Sequence, residues 1–100
     1  MLLILNDGST EPLVNEILNK YSKEPKIQVI NLETNVGLAS TLNHGIQRAL
    51  ELEGIKYIAR MDADDLSLPH RLECQIKYLE RNPSIDILGT SVLLFGDKKD

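Results

Sequence analysis

Apolar and polar positions alternate along this chain in a pattern that is typical of strands followed by helices. Apolar runs predict strands over Leu2–Leu5, Lys26–Leu32, Lys56–Met61 and, bent at Gly89, Ile85–Phe95. Apolar residues at helical spacing predict three helices between these strands, with faces formed by Leu13, Val14, Ile17, Leu18 and Tyr21, by Leu38, Leu42, Ile46, Ala49 and Leu50, and by Leu72, Ile76 and Leu79. This β-α-β-α-β-α-β order predicts an α/β fold with a mostly parallel sheet flanked by helices.

Residues at the ends of the predicted elements favour the same boundaries. Ser9 or Thr10 is expected to cap the first helix, and Ser67 the third. Gly54 is expected to end the second helix. The uncharged run Leu2–Leu5 predicts a strand buried on both faces.

Composition limits the classes of protein to which the chain can belong. Its 100 residues suffice for one small domain, and the net charge of -4 argues against nucleic acid as a partner. The single cysteine, Cys74, excludes an intrachain disulfide and fits a reducing, cytoplasmic location. No run of apolar residues is long enough for a transmembrane segment.

Three carboxylates follow the third predicted strand, at Asp62, Asp64 and Asp65. Two ionised carboxylates about 4 Å apart repel by about 4 kcal/mol at an effective dielectric near 20, so a cation is expected to relieve the repulsion. In the functional interpretation, Asp64 binds Mg²⁺ or Mn²⁺, and Asp62 binds the metal or a ribose hydroxyl. In the alternative, Asp65 caps the next helix and the other two face water.

Two further polar loops, Asn6–Thr10 and Glu33–Gly37, are expected at the same edge of the sheet, because right-handed crossovers place all strand C-termini together. Asp7 could accept a hydrogen bond from a base N–H or a ribose hydroxyl there. Asn35 and Gly37 belong to a loop that could approach a ligand closely, although in isolation an ordinary loop before a helix is the favoured explanation. Arg71, in the first turn of the third helix, is expected to pair with Asp65 or Asp62.

The order and spacing of four motifs resemble family 2 glycosyltransferases of the GT-A fold. These motifs are Leu-Asn-Asp-Gly-Ser-Thr at 5–10, Asn-Val-Gly-Leu-Ala at 35–39, Leu-Asn-His-Gly-Ile at 42–46 and Tyr-Ile-Ala-Arg-Met-Asp-Ala-Asp-Asp at 57–65. The resemblance covers nearly the whole chain, and Pro69, Arg71, Gln75 and Asn82-Pro83 continue it.

The resemblance implies a partial Rossmann-like nucleotide-diphospho-sugar transferase fold and transfer of sugar to an acceptor such as a polysaccharide or lipopolysaccharide. It implies that Asp7, Asn35, Gly37 and Asp62 bind the nucleotide sugar, and that Asp62 and Asp64, a DXD motif, bind Mg²⁺ or Mn²⁺. It also implies that the full-length protein is cytoplasmic or peripheral to the membrane.

Departures from the family pattern lead to further expectations. The family begins one strand earlier and carries its general base further along, so residues 1–100 are expected to form one partial, donor-binding domain that is inactive alone. The missing strand predicts that the sheet closes either by unusual strand pairing or by association between copies of the chain, as a homo-oligomer. A non-catalytic nucleotide-binding or merely structural role is the alternative function. A haloacid-dehalogenase phosphatase is disfavoured, because Leu66 stands where that motif needs Thr or Val.

Overall fold

A computed structural model describes residues 1–96 and places a two-stranded parallel sheet beside helices. The elements, in chain order, are β1 (Leu2–Asn6), α1 (Pro12–Tyr21), β2 (Ile27–Asn31), α2 (Leu38–Leu50) and α3 (Arg71–Arg81). The strands pair in direct register, from Leu2 opposite Ile27 to Asn6 opposite Asn31. The α/β class, the three helices and the parallel pairing of the first two strands are thus confirmed.

Two predicted strands, Lys56–Met61 and Ile85–Phe95, are wrong for the part of the chain that the structure describes. Neither segment joins the sheet or forms a ladder of its own. Apolar residues make a segment suitable for a strand, but the strand exists only where a neighbour accepts and donates its backbone hydrogen bonds. Most side chains of the second segment are exposed to solvent, as at Val92, which is 84% exposed, whereas Ile85 and Leu88 are half-buried.

The predicted helix caps are also wrong. Glu11 is the N-cap of α1 and makes no side-chain capping bond, so neither Ser9 nor Thr10 caps that helix. His70, rather than Ser67, is the N-cap of α3. In α1, Pro12 is the first helical residue, and its fixed φ angle favours a helical beginning without a side-chain cap.

Helix α2 packs on β1 through small residues rather than through its large apolar ones. Thr41, Gly45 and Ala49 are its buried residues. A Cβ atom added to Gly45 would lie 2.6 Å from the Leu5 Cδ1 atom, so the helix and the strand are as close as a glycine allows. The predicted buried face is therefore wrong for its large members Leu38, Ile46 and Leu50, which are exposed.

Burial of apolar side chains is limited in the described residues. Helix α2 lies against β1 and α1 against β2, yet Leu2 is 53% exposed and Ala49 is the one apolar residue that counts as buried. The expectation that β1 is buried on both faces is thus wrong. Cys74 and the α3 residues Leu72 and Ile76 are exposed as well.

The chain divides into two compact units, Met1–Ile58 and Ala59–Asp100. The first contains the sheet with α1 and α2, and the second contains α3. Whether residues 1–100 act as one domain stays a prediction. Within residues 1–96, no helix has the length and apolar character needed to cross a membrane.

Candidate functional site

A network of asparagine side chains joins the ends of β1 and β2 in the first unit. The buried Asn6 donates from Nδ2 to Asn31 Oδ1 at 3.0 Å and to Asn15 Oδ1 at 3.3 Å. Its own Oδ1 accepts the backbone N–H of Ser9 at 3.0 Å. The Asn6 carbonyl accepts the N–H of Leu32 at 2.9 Å. These bonds hold the loops after both strands at one edge of the sheet.

The sequence contains a signal for this network that the apolar pattern does not reveal. Both apolar strands end in asparagine, and the two asparagines are register partners. A polar amide at the same position in two adjacent parallel strands indicates a side-chain bond between them. Asn6, Asn15 and Asn31 are therefore site-building residues that the sequence reasoning missed.

The structure brings the predicted residues Asp7, Asn35 and Gly37 together beside this network. The Asp7 carboxylate accepts two successive backbone N–H groups, from Val36 to Oδ1 at 2.7 Å and from Gly37 to Oδ2 at 3.0 Å. The Asn35 Oδ1 atom accepts the same Gly37 N–H at 3.2 Å. Parallel strands with right-handed crossovers thus place these two loops at one edge, as expected.

Gly37 leaves open space beside the loop. Its φ of 88° lies in the region that favours glycine, and no atom lies within 4 Å of the position that a Cβ would occupy. The Gly37 carbonyl accepts the Thr41 backbone N–H and hydroxyl, so the residue is anchored to α2. The loop is open on one side and held on the other, a geometry that permits a ligand to approach the backbone.

A polar cavity of about 330 Å³ lies between α1 and the loops after β1 and β2. Its wall includes Asn6, Asn15 and Asn31, whose amides are largely engaged with one another. Asp7, Asn35 and Gly37 do not line this cavity. The cavity therefore borders the asparagine network and does not coincide with the predicted nucleotide-binding residues of the first unit.

The second unit contains the acidic turn, which we define as Asp62–Asp65. The N–H of Asp65 donates to the Asp62 carbonyl at 3.2 Å, which closes the turn. The carboxylates of Asp62, Asp64 and Asp65 are exposed, and one oxygen from each lies within 4.8 Å of the others. The turn therefore gathers the three side chains that the sequence singles out.

These three oxygens match the ligand chemistry of a hard divalent cation. Mg²⁺ binds oxygen at about 2.1 Å, so opposed ligands are about 4.2 Å apart, and small side-chain rotations would close the acidic turn to that spacing. Because the carboxylates are exposed, water could supply the remaining ligands. Asp65 does not cap α3, which begins six residues later, so the capping part of the alternative explanation is wrong, although Asp62 and Asp64 do face water as that alternative expects.

The arginines beside the acidic turn are arranged differently from the prediction. Arg71 donates from Nη2 to the carbonyl of Arg60 at 3.1 Å, rather than to Asp65 or Asp62. Arg60 itself pairs with Asp62, with its Nη2 atom 3.1 Å from Oδ1. Asp62 thus has a cationic neighbour in the second unit, whereas no ion pair is described for Asp64.

The sequence is similar to a known protein family over almost its whole length. The model of the family described as glycosyl transferase family 2 matches residues 2–99. No solved structure matches the chain.

Three relatives illustrate the range of similar proteins. The bifunctional glycosyltransferase pgtA of Dictyostelium discoideum is 40% identical over 98% of this chain and 13% of its own length. The amylovoran biosynthesis glycosyltransferase AmsE of Erwinia amylovora is 30% identical over 96% of this chain and 35% of its own length. The UDP-Gal:alpha-D-GlcNAc-diphosphoundecaprenol beta-1,3-galactosyltransferase of Escherichia coli is 28% identical over 97% and 35% respectively. The chain thus spans about a third or less of each of these relatives.

Proposed function

Since the chain belongs to glycosyl transferase family 2, we propose that it binds a nucleotide-diphosphate sugar through Mg²⁺ or Mn²⁺. The bound sugar is then transferred to a glycan acceptor such as a polysaccharide or lipopolysaccharide. The observation that carries the proposal is the acidic turn, in which three exposed carboxylates lie within 4.8 Å of one another.

Asp62 and Asp64 are the proposed metal ligands. Asp64 is the more available ligand of the two, because the Asp62 Oδ1 atom already contacts Arg60. When bound, the metal would neutralise charge on the departing diphosphate. The exposed Arg60 guanidinium contacts Asp62 and adds a second positive charge beside the turn, which further suits a polyanionic ligand.

Asp7, Asn35 and Gly37 in the first unit are proposed nucleotide-sugar-binding residues, and Asp62 is the one proposed from the second unit. Asp7 is only partly exposed, and each of its carboxylate oxygens retains a lone pair after accepting one backbone N–H. It can therefore accept a further hydrogen bond from a ligand N–H or hydroxyl. The open space beside Gly37 provides room for a ring or another part of the nucleotide sugar.

The names of two relatives support a glycan acceptor and a nucleotide-sugar donor. One relative is named for amylovoran biosynthesis, and another for transfer from UDP-Gal to a diphosphoundecaprenol-linked acceptor. We propose the same general class of reaction for this protein.

Isothermal titration calorimetry with Mn²⁺ and nucleoside diphosphates tests the proposal on the chain as it stands. We expect nucleoside diphosphate binding that requires Mn²⁺, and an affinity about tenfold or more lower in Asp64→Asn, because one charged ligand is lost. Asp86→Asn is the matched control, since Asp86 is an exposed aspartate outside the proposed site and should bind as the wild type does. Absence of binding in the wild type would leave the non-catalytic structural role as the better account.

A further inference from the structure

We propose that Asp7 is a positioning residue, whose carboxylate latches the Asn35–Gly37 loop against the β1–α1 loop and so sets the shape of the nucleotide-binding surface. The ligand part of this inference rests on the proposed function. The latch itself is a property of the protein without ligand.

The first observation is the use of both Asp7 oxygens. One accepts the Val36 N–H at 2.7 Å and the other accepts the Gly37 N–H at 3.0 Å, across 29 and 30 residues of sequence. Two successive backbone N–H groups that face one anion form a concave anion-binding nest. Here a side chain from another loop occupies that nest, and charge-assisted bonds of this kind are about twice as strong as neutral ones.

The second observation is independent of the carboxylate and concerns the next residue, Gly8. Its φ is 70°, and a Cβ added there would lie 2.7 Å from Asn35 N and 2.7 Å from the carbonyl carbon of Thr34. These neighbours are backbone atoms, which cannot rotate away. The two loops are therefore in direct backbone contact at Gly8, and only a glycine permits it.

The parts joined by the latch are fixed at their other ends. Asn6, which precedes Asp7, is bound to Asn31 at the end of β2. Gly37 immediately precedes α2 and is bound through its carbonyl to Thr41. The latch is thus the link between the end of β1 and the start of α2. A negative charge close to the start of α2 also complements the helix dipole.

The consequence for a ligand is a preset direction of the free acceptor sites. With two lone pairs used by Val36 and Gly37, the remaining lone pairs of Asp7 point in directions that the loop determines. Disturbing the contact from the Gly8 side should then weaken nucleotide binding even while the Asp7 carboxylate is intact. Direct contact of Asp7 with the base, without a positioning role, predicts no such effect.

Amide hydrogen exchange by NMR on the uniformly ¹⁵N-labelled chain, without ligand, tests the latch. In Asp7→Asn one acceptor oxygen becomes an NH₂ group that faces an N–H donor. We expect the Val36 amide, which has no other acceptor among the described bonds, to exchange about tenfold faster, and the Gly37 amide, which also faces Asn35 Oδ1, to exchange faster by a smaller factor, since the charge-assisted bonds are lost. Asp86→Asn is the control for loss of one negative charge and should leave both rates unchanged. Unchanged rates in Asp7→Asn would overturn the proposal.

Nucleoside diphosphate affinity, measured with Mn²⁺ on Gly8→Ala, tests the consequence for the ligand. We expect nucleoside diphosphate affinity to fall about tenfold in Gly8→Ala. Adding Asp7→Asn to Gly8→Ala should not raise the amide exchange rates of Val36 and Gly37 any further, because the two changes break one contact. Wild-type affinity in Gly8→Ala would overturn the positioning role. If Gly8→Ala does not fold, exchange in the isosteric Asp7→Asn decides alone. If the wild type binds no nucleotide, the proposed function fails, yet the exchange rates still decide whether the latch exists.

Discussion

At the scale of single residues, the asparagine at the end of β1 is a buried polar side chain with several hydrogen-bond partners. Asn6 is 8% exposed, and its amide takes part in three hydrogen bonds to the side chains of Asn15 and Asn31 and the backbone of Ser9. A buried amide with its partners arranged on both sides stabilises a unique loop geometry, because each partner loses a bond if the amide moves.

We therefore expect Asn6→Ala to lower the free energy of unfolding by about 1–3 kcal/mol, because it leaves buried donors and acceptors without partners. Urea denaturation followed by circular dichroism provides the measurement. Asn19→Ala on the exposed surface of α1 is the control and should stay within about 0.5 kcal/mol of the wild type. Equal effects of the two substitutions would contradict the structural role of Asn6.

At the scale of elements, α2 shows how packing distance selects residues. Its buried positions Thr41, Gly45 and Ala49 recur every four residues, so they form one narrow stripe of small side chains. The stripe lets the helix approach Leu5 of β1 so closely that a Cβ at Gly45 would overlap it. Hydrophobicity alone indicates a neighbouring face that shares Ala49 with this stripe, because it gives Gly and Thr little weight.

Enlarging that stripe should push the helix away from the strand. We expect Gly45→Leu to destabilise the protein by about 1–3 kcal/mol through overpacking against Leu5, even though leucine has the better helix propensity. Gln47→Leu adds a leucine at an exposed position of the same helix and should change stability by no more than about 0.5 kcal/mol. Thermal or urea unfolding distinguishes the two, and a Gly45→Leu variant as stable as the wild type would refute the close packing.

At the scale of the whole molecule, the sheet of the described residues has an open edge. The Leu2 N–H and the Asn6 carbonyl bond toward β2, so the backbone groups of Leu3 and Leu5 face the other way by alternation. No strand within residues 1–96 pairs with that side of β1. The edge carries no charge or proline, the features that usually prevent edge-to-edge association.

Self-association through this edge stays a prediction, and light scattering after size-exclusion chromatography would test it. We expect the wild-type chain to form dimers or larger species as concentration rises. Leu3→Pro should shift the distribution toward monomer, because proline removes an N–H on the open side and spares the bonds to β2. Leu66→Pro, at an 80% exposed position outside the sheet, is the control. A monodisperse wild-type monomer at every concentration would refute the prediction.

Sequence alone determined the class of fold, the three helices, the first two strands and the family, because periodicity and motif spacing are local properties of the chain. It also located Asp7, Asn35 and Gly37 in two adjoining loops and Asp62 and Asp64 in one acidic turn. Tertiary structure decided which apolar segments acquire strand partners, which face of α2 is buried and what the Asp7 carboxylate binds. These outcomes depend on contacts between residues distant in sequence, and side-chain type by itself does not specify such contacts.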